Sequence, residues 1–392
     1  MKKSLLLAFV AMISFSANAQ VKFAKIDLDN SVKSNTNRVE NLSFNNTSKA
    51  NAPILHAPGD GAVGSWIERT YSEETELFSC KLVKIEAASN VNNMPDANVK
   101  ITLGEYKFPI WVYGTFADGK LTIPGQLVSD GAKETQVVNS QMYFCGIKAD
   151  GQNLDNDKYE MTVNEDGALV PEEAYSGWYI YMTEGTYQGK GWDLGVDPEW
   201  NRSNGTMTGT RRFGQSGEED FNLPVFVKDE EGNYGIYNAF INLKMTLEVD
   251  KAAGTFKITT PQNVAATSKK LQDEGYGKYY YIRGTDNNGY FQDNVPVKGT
   301  WTENLITFNV PQEGDYSGVY QIVTSAAADG GRYGYGYFLN VIVNYGNNPA
   351  GIEDVATDAS KKDNRIFNLA GQQVGNDYKG IVIQNGVKKI QK

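Results

Sequence analysis

The chain is poor in the side chains on which most metal sites and many enzymes depend. Among its 392 residues there are one histidine and two cysteines. That inventory cannot build a cysteine-rich zinc site or an iron–sulfur cluster. Nucleophilic catalysis of the Ser–His or Cys–His kind needs a histidine beside the nucleophile. The single one, His56, stands between Pro53 and Pro58 in a polar stretch and reads as a solvated linker residue. Positive charge is also short, with 37 Lys and Arg against 47 Asp and Glu. No stretch gathers the basic cluster that a phosphate backbone demands, so nucleic acid is excluded as a partner. Glycine-rich residues 330–336 are followed by no Gly-Lys-Ser/Thr, so a phosphate-cradling loop is not expected there.

Long apolar runs are missing too. The only extended one lies at the amino terminus, where Lys2 and Lys3 precede apolar residues 5–15 and Ala17-Asn18-Ala19 has the small-x-small form of a signal-peptidase site. The pattern predicts a secretory signal over residues 1–19. Its removal would leave 392 − 19 = 373 residues with a charge of 35 − 47 = −12. Gln20, not cysteine, follows the cleavage position, so a lipid anchor there is not expected. No later segment reaches about 18 consecutive apolar residues, so no integral membrane helix is expected in the mature chain.

What is present is strand and turn. Residues 20–61 are rich in Asn, Ser and Lys and read as a linker unable to bury enough surface to fold alone. Beyond them, residues 241–250 alternate apolar and polar with a period of two, predicting a half-buried strand. Residues 333–345 place Tyr333, Tyr335, Tyr337, Leu339, Val341, Val343 and Tyr345 on one face of a second. Asp118-Gly119 and Asp166-Gly167 mark hairpin turns, since both residue types tolerate positive φ. No window carries a capped helical period. The fold class expected is all-β.

An internal duplication organises these strands. Gly119, Leu121 and Ile123 match Gly254, Phe256 and Ile258 at an offset of 254 − 119 = 135, each set leading to a proline and a glutamine. Residues 141–146 match residues 279–284 at 284 − 146 = 138, and Gly151, Asp155 and Asn156 match Gly289, Asp293 and Asn294. Pro171 then pairs with Pro311, and Ser176-Gly177-Trp178 with Ser317-Gly318-Val319. Offsets that drift slightly are what loop insertions in a duplicated domain produce. Two tandem antiparallel β-domains are therefore expected, over residues 62–203 and 204–349, each an eight-stranded, calycin-like barrel or a sandwich.

Both cysteines, Cys80 and Cys145, lie in the first repeat. In an exported protein they permit a disulfide that would close 145 − 80 = 65 residues and stabilise by about 4 kcal/mol. The alternative is two buried strand cysteines that never meet.

The tail, residues 350–392, changes texture. It holds Arg365-Ile366-Phe367-Asn368-Leu369-Ala370-Gly371-Gln372-Gln373-Val374 and, after a gap, Lys379-Gly380-Ile381-Val382-Ile383-Gln384-Asn385-Gly386-Val387-Lys388-Lys389-Ile390. These are short strands with an Asn-Gly turn. The string resembles the abbreviated C-terminal sorting domain of the type IX secretion system of Bacteroidota, with Phe367 and Val382 where tyrosines are usual and Val387 interrupting the Asn-Gly-Lys-Lys end. The resemblance implies that the type IX machinery is a partner and that the chain is released from, or attached to, the outer surface. Residues 119–126 and 254–262, each with a tyrosine-rich strand after it, also resemble a β-rich repeat of secreted Bacteroidota proteins, a family with no assigned function from which no catalytic residue transfers.

Three chemistries stay open. Paired carboxylates for glycoside processing are available among Glu73-Glu74, Glu218-Glu219-Asp220 and Asp229-Glu230-Glu231, although charge runs usually solvate loops. Calcium is the one cofactor the loops suggest, through Asp150, Asp155 and Asp157 and, in the second copy, Asp286 and Asp293. The same residues serve any tight turn. Trp178, Trp192 and Trp200 crowd a polar, glycine-rich stretch, and with Tyr290 and Tyr333 they are candidates for stacking against sugar rings; the alternative is that they cap the core. The expected function is that of an exported, non-catalytic binding protein for a glycan or host protein, with a structural or adhesin-like role and a carboxylate-dependent glycan-processing enzyme as alternatives.

Overall fold

A computed structural model describes residues 60–346, apart from 90, 92, 104–109, 129–140, 186–187, 214–216, 241 and 326–329, together with the backbone of four short strands between 366 and 391. The expected secretory signal, most of the expected linker and His56 lie outside the described residues.

The first repeat supplies β1 (Gly64–Ser72), β2 (Leu77–Ala87), β3 (Val99–Leu103), β4 (Ile110–Ala117), β5 (Lys120–Pro124), β6 (Gln126–Leu127), β7 (Met142–Lys148), β8 (Leu154–Asp155), β9 (Lys158–Val163), β10 (Leu169–Pro171), β11 (Tyr175–Met182), β12 (Gly191–Val196) and β13 (Glu199–Arg202). The second supplies β14 (Gly205–Arg212), β15 (Glu218–Glu230), β16 (Asn233–Tyr237), β17 (Lys244–Asp250), β18 (Thr255–Ile258), β19 (Gln262–Ala266), β20 (Tyr279–Thr285), β21 (Phe291–Gln292), β22 (Val297–Thr302), β23 (Leu305–Phe308), β24 (Tyr320–Ser325) and β25 (Arg332–Tyr345). A one-turn helix, α1 (Lys269–Asp273), is capped by Ser268, whose side chain accepts from Leu271 N–H. It is too short to leave a helical period in the sequence.

Both repeats are closed eight-stranded antiparallel barrels. The first closes in the order β1-β13-β10-β9-β5-β4-β3-β2, and the second from β14 round to β25, which pairs back to β14. Each barrel carries a flanking sheet: β12-β11-β7 with β6 and β8 in the first, β25-β24-β20 with β19 and β21 in the second. The inner face of the flanking sheet and the barrel interior form one core. Phe144, Trp178 and Ile180 meet Val83, Ile101 and Leu121 in the first repeat, as Ile282, Tyr320 and Ile322 meet Val225, Ile236 and Phe256 in the second.

The ladders sharpen the duplication and correct two of its pairings. Pro171 pairs with Met161 where Phe308 pairs with Gly299, so Phe308, not Pro311, is its counterpart. Tyr179 pairs with Cys145 and Gln321 with Arg283, which sets Tyr320, not Val319, in the place of Trp178. The repeated glutamine has a clear task. Gln126 accepts from Tyr113 N–H at 2.9 Å and donates to Tyr113 C=O at 2.7 Å, and Gln262 does the same with Thr246 at 2.8 Å in both directions. Each side-chain amide stands in for a missing strand where the chain leaves the barrel.

Two strands differ from expectation. The alternation at 241–250 begins in a loop, and β17 starts only at Lys244. Asn238, Phe240 and Asn242 take left-handed backbone, with Asn242 N–H bonded to Asn238 Oδ1 at 3.1 Å. In β25 the tyrosines do not share one face. Tyr335 is the extra residue of a bulge and Asn340 is left-handed, so Phe338 points into the barrel core, Tyr337 and Leu339 point out, and Val341 and Val343 point in again.

Only Ser203 and Asn204 separate β13 from β14, and the repeats pack side by side in one compact unit. Ile67, Cys80 and Tyr237 form the buried centre of the junction, with Phe78, Leu82 and Phe226 around it. Arg69 forks onto both oxygens of Glu199 at 2.7 Å and lies 5.0 Å from the Tyr237 ring centre, while Lys244 holds Glu230 at 2.8 Å. Cys80 thus faces the second repeat, whereas Cys145 sits on β7 with its Sγ 3.6 Å from Tyr179 C=O. Both are free and buried, which removes the disulfide. The tail forms its own unit, an antiparallel sheet of β26 (Ile366–Asn368), β27 (Gln373–Val374), β28 (Gly380–Gln384) and β29 (Val387–Gln391) in the order β27-β26-β28-β29.

Gln126→Ala should lower unfolding free energy by about 2 kcal/mol in urea titrations, because it strands a buried backbone donor and acceptor. Burial pushes both thiols up to about 12. Iodoacetamide at mildly alkaline pH should therefore modify neither cysteine in the folded protein and both after unfolding without reductant, as read by intact mass.

Candidate functional site

The tryptophans expected to meet a ligand are in the core. Trp178 and Trp200 are fully buried. Trp192 is the extra residue of a bulge between Ile180 and Tyr181 on the partner strand and packs, partly buried, against the barrel interior, the position Tyr335 holds in the second repeat. Tyr290 is exposed and follows the β20–β21 turn, and Tyr333 packs edge-on against Tyr276 at 5.3 Å. The structure does not bring these five together.

The indoles of Trp178 and Trp200 meet instead on a buried carboxylate. Both Nε1–H groups donate to Glu68 Oε2 at 2.7 Å. Glu68 Oε1 has no hydrogen-bond partner and lies 3.9 Å from Lys81 Nζ. Lys81 in turn pairs with Asp193, donates to Leu194 C=O at 2.8 Å and sits 4.7 Å from the Trp178 ring centre. Gly195 closes over the group: a Cβ there would lie 2.4 Å from Trp178 Nε1 and 3.1 Å from Glu68 Oε1. Burial pushes the Glu68 carboxyl above its ordinary value, opposed without being overcome by the Lys81 charge and the two indoles. Following the ladders round both barrels sets Met207 in place of Glu68, Leu223 in place of Lys81 and Val343 in place of Trp200. The polar group is special to the first repeat.

Its effect is to pin β12, the edge strand of the flanking sheet. Leu194, which pairs with Tyr179, has its C=O taken by Lys81 and its N–H by Asp193 Oδ1 at 2.9 Å. The outer face so fixed is apolar throughout. One row is Leu127, Tyr143 and Tyr181, the next Cys145, Tyr179 and Leu194, and the third Leu154, Ile147 and Val196. Leu127, Leu194 and Val196 are 50%, 47% and 46% exposed, and the three tyrosines are half-buried. Tyr181 lies 5.7 Å from Tyr143 and 6.1 Å from Tyr179, the latter pair inclined by 25°. Tyr179 lies flat against Gly191, where a Cβ would come within 2.4 Å of its hydroxyl, and Tyr143 OH donates to Asn156 C=O at 3.0 Å. An outer face apolar across three rows, on a sheet whose inner face is already core, is a candidate docking surface.

The second repeat covers the matching area from within. Tyr337 and Leu339, the counterparts of Leu194 and Val196, are buried with Val319 under Tyr316 and Phe291, while Arg283 and Arg332 hold Asp293 at 3.2 and 2.9 Å.

Most of the other acids singled out above are engaged in local structure. Asp150 accepts from Gln152 and Asn153 N–H at 2.9 Å, and Asp286 caps the matching turn through Asn288 and Tyr290 N–H. Asp155 takes Asp157 N–H at 3.0 Å and Tyr175 OH at 3.2 Å. Among the described residues no three His, Cys, Asp or Glu side chains converge; Asp150, Asp155 and Asp286 are engaged in turns, and Asp293 in ion pairs. Of the acidic runs, Glu218 and Glu219 pair with Arg212 and Arg211, Asp229 with Lys251 and Glu230 with Lys244.

The signal that marks the outer face is in the sequence: the runs from Met142 to Ile147 and from Trp178 to Met182 hold no charged residue, as strands buried on both sides do. No family model, no curated protein and no solved structure matches the chain.

A carboxyl that titrates higher folded than unfolded stabilises most below 4.5, its ordinary value, and loses that contribution as pH rises through the folded value. The melting-temperature difference between Glu68→Gln and the wild type should therefore shift in the variant's favour as pH rises above 4.5. A difference independent of pH would contradict the account.

Proposed function

We propose that the protein is an exported, non-catalytic binding protein that holds a glycan on the outer face of the first flanking sheet. The observation that carries this reading is the run of three tyrosine rings, Tyr143, Tyr181 and Tyr179, at 5.7 and 6.1 Å spacing on a sheet with no charged side chain in its three outer rows. Sugar rings present apolar C–H faces edged by hydroxyls, and aromatic rings bearing a hydroxyl at the tip match both parts. Export is supported by the basic-apolar-small pattern of residues 1–19 and by the tail's resemblance to a type IX sorting domain, which also proposes that machinery as a partner and the outer surface or medium as the destination.

A protein ligand is the second reading. It is favoured by Leu194 and Val196, whose counterparts in the second repeat are covered by protein side chains.

Leu194→Glu places a charge at the β12 edge of the face, directly opposite Tyr179, without touching the barrel core. On a glycan array the mature protein should give signals that this variant lacks. Identical patterns from the two proteins would refute the glycan reading.

A further inference from the structure

The chemistry of the same face narrows the glycan, and this step rests on the reading just given. We infer that the ligand is a neutral, extended polysaccharide of all-equatorial, β-linked sugars, laid across the strands. Charge is the first reason. The outer rows themselves offer no cation to a uronate or a sulfate; at the rim Lys148 follows Ile147 and is offset by Asp155, and Asp197 follows Val196, on a chain whose net charge is −10. An acidic polymer lying on the rows would find no pairing charge beneath it and would approach against the net charge of the chain.

Shape is the second reason. Tyr179 covers Gly191, Tyr143 is tethered through its hydroxyl to Asn156, and Tyr181 is inclined by 25° to Tyr179 and by 43° to Tyr143. The rings form a gently turned shelf. A sugar whose substituents are all equatorial is flat on both sides and can lie down on such a shelf. An axial hydroxyl, or the helical turn of an α-linked chain, would hold the ring away. Crossing from β6 through β7 and β11 to β12 covers three interstrand steps, about 14 Å, which accommodates roughly three sugar units. Leu127 and Leu194, both about half exposed, bracket the rings at the two sides of the sheet.

The test is affinity electrophoresis of the mature chain in native gels containing hydroxyethylcellulose, soluble starch or polygalacturonate. Hydroxyethylcellulose should retard it, with little change on adding salt because no ion pair is involved. Tyr181→Ala should weaken the retardation about tenfold or more, Tyr181→Phe should retain most of it, and Leu305→Ala, an exposed change in the second repeat, should leave it intact. Melting curves establish that each variant is folded. Retardation by starch or polygalacturonate at equal or greater strength, lost in Tyr181→Ala, would overturn the ligand class while leaving the face as a glycan site. Retardation by none of the three gels would overturn the inference, and an array signal abolished by Leu194→Glu would then still separate that failure from a failure of the glycan reading itself.

Discussion

In each repeat the chain must leave the barrel to build the flanking sheet and then return, and the structure turns on how those crossings are made. The outward crossing would leave a backbone donor and acceptor bare on β4 and β17. Gln126 and Gln262 close that gap with a side-chain amide. The return crossing reverses which side of the strand faces the core. Asp197 and Asn340 make it with left-handed backbone at matching positions. Because both crossings are fixed, the flanking sheet has one face committed to the barrel core and only the other free to diverge.

That freedom has been used differently in the two copies. The second repeat is closed on itself, with apolar side chains where the first has Glu68, Lys81 and Trp200, and with Tyr316 and Phe291 lying over its outer face. The first repeat keeps a buried charge group under β12 and leaves the outer rows to solvent. A buried carboxylate bonded by two indoles adds less to stability than well-packed methyl groups would. Its worth lies in fixing the edge strand that carries Leu194 and Val196. The duplicate acts as an internal control, separating what the fold requires from what one copy adds.

Much of the architecture was legible in the sequence. The repeated Gly-x-Leu-x-Ile and Gly-x-Phe-x-Ile strands with their following glutamines mark the same barrel strand and the same crossing in both copies, and the all-β class and the duplication follow from them. Where the expected alternation failed, left-handed backbone before β17 and bulges elsewhere were the cause. A residue inserted at Trp192, Tyr335 or Asn340 resets the alternation, and nothing in a period-two pattern announces it. Composition hid the site. Trp200 follows a stretch rich in Gly and Asp, and Trp178 follows Ser176-Gly177, so both look like exposed rings, but in the strands their side chains point inward, and the rings facing out are Tyr179 and Tyr181 beside Trp178 and Tyr143 on the neighbouring strand. The Glu68 group was invisible for another reason: its members come from β1, β2, β11, β12 and β13, and only barrel closure gathers them.

Lys81 has one more consequence. An edge strand bordered by half-buried tyrosines and exposed leucine and valine is the kind of surface on which copies of a protein stack into ribbons. By taking the Leu194 carbonyl for itself while Asp193 takes the N–H, the chain denies an incoming strand its first two hydrogen bonds. The sheet can stay sticky on its face because it has been made unresponsive along its edge.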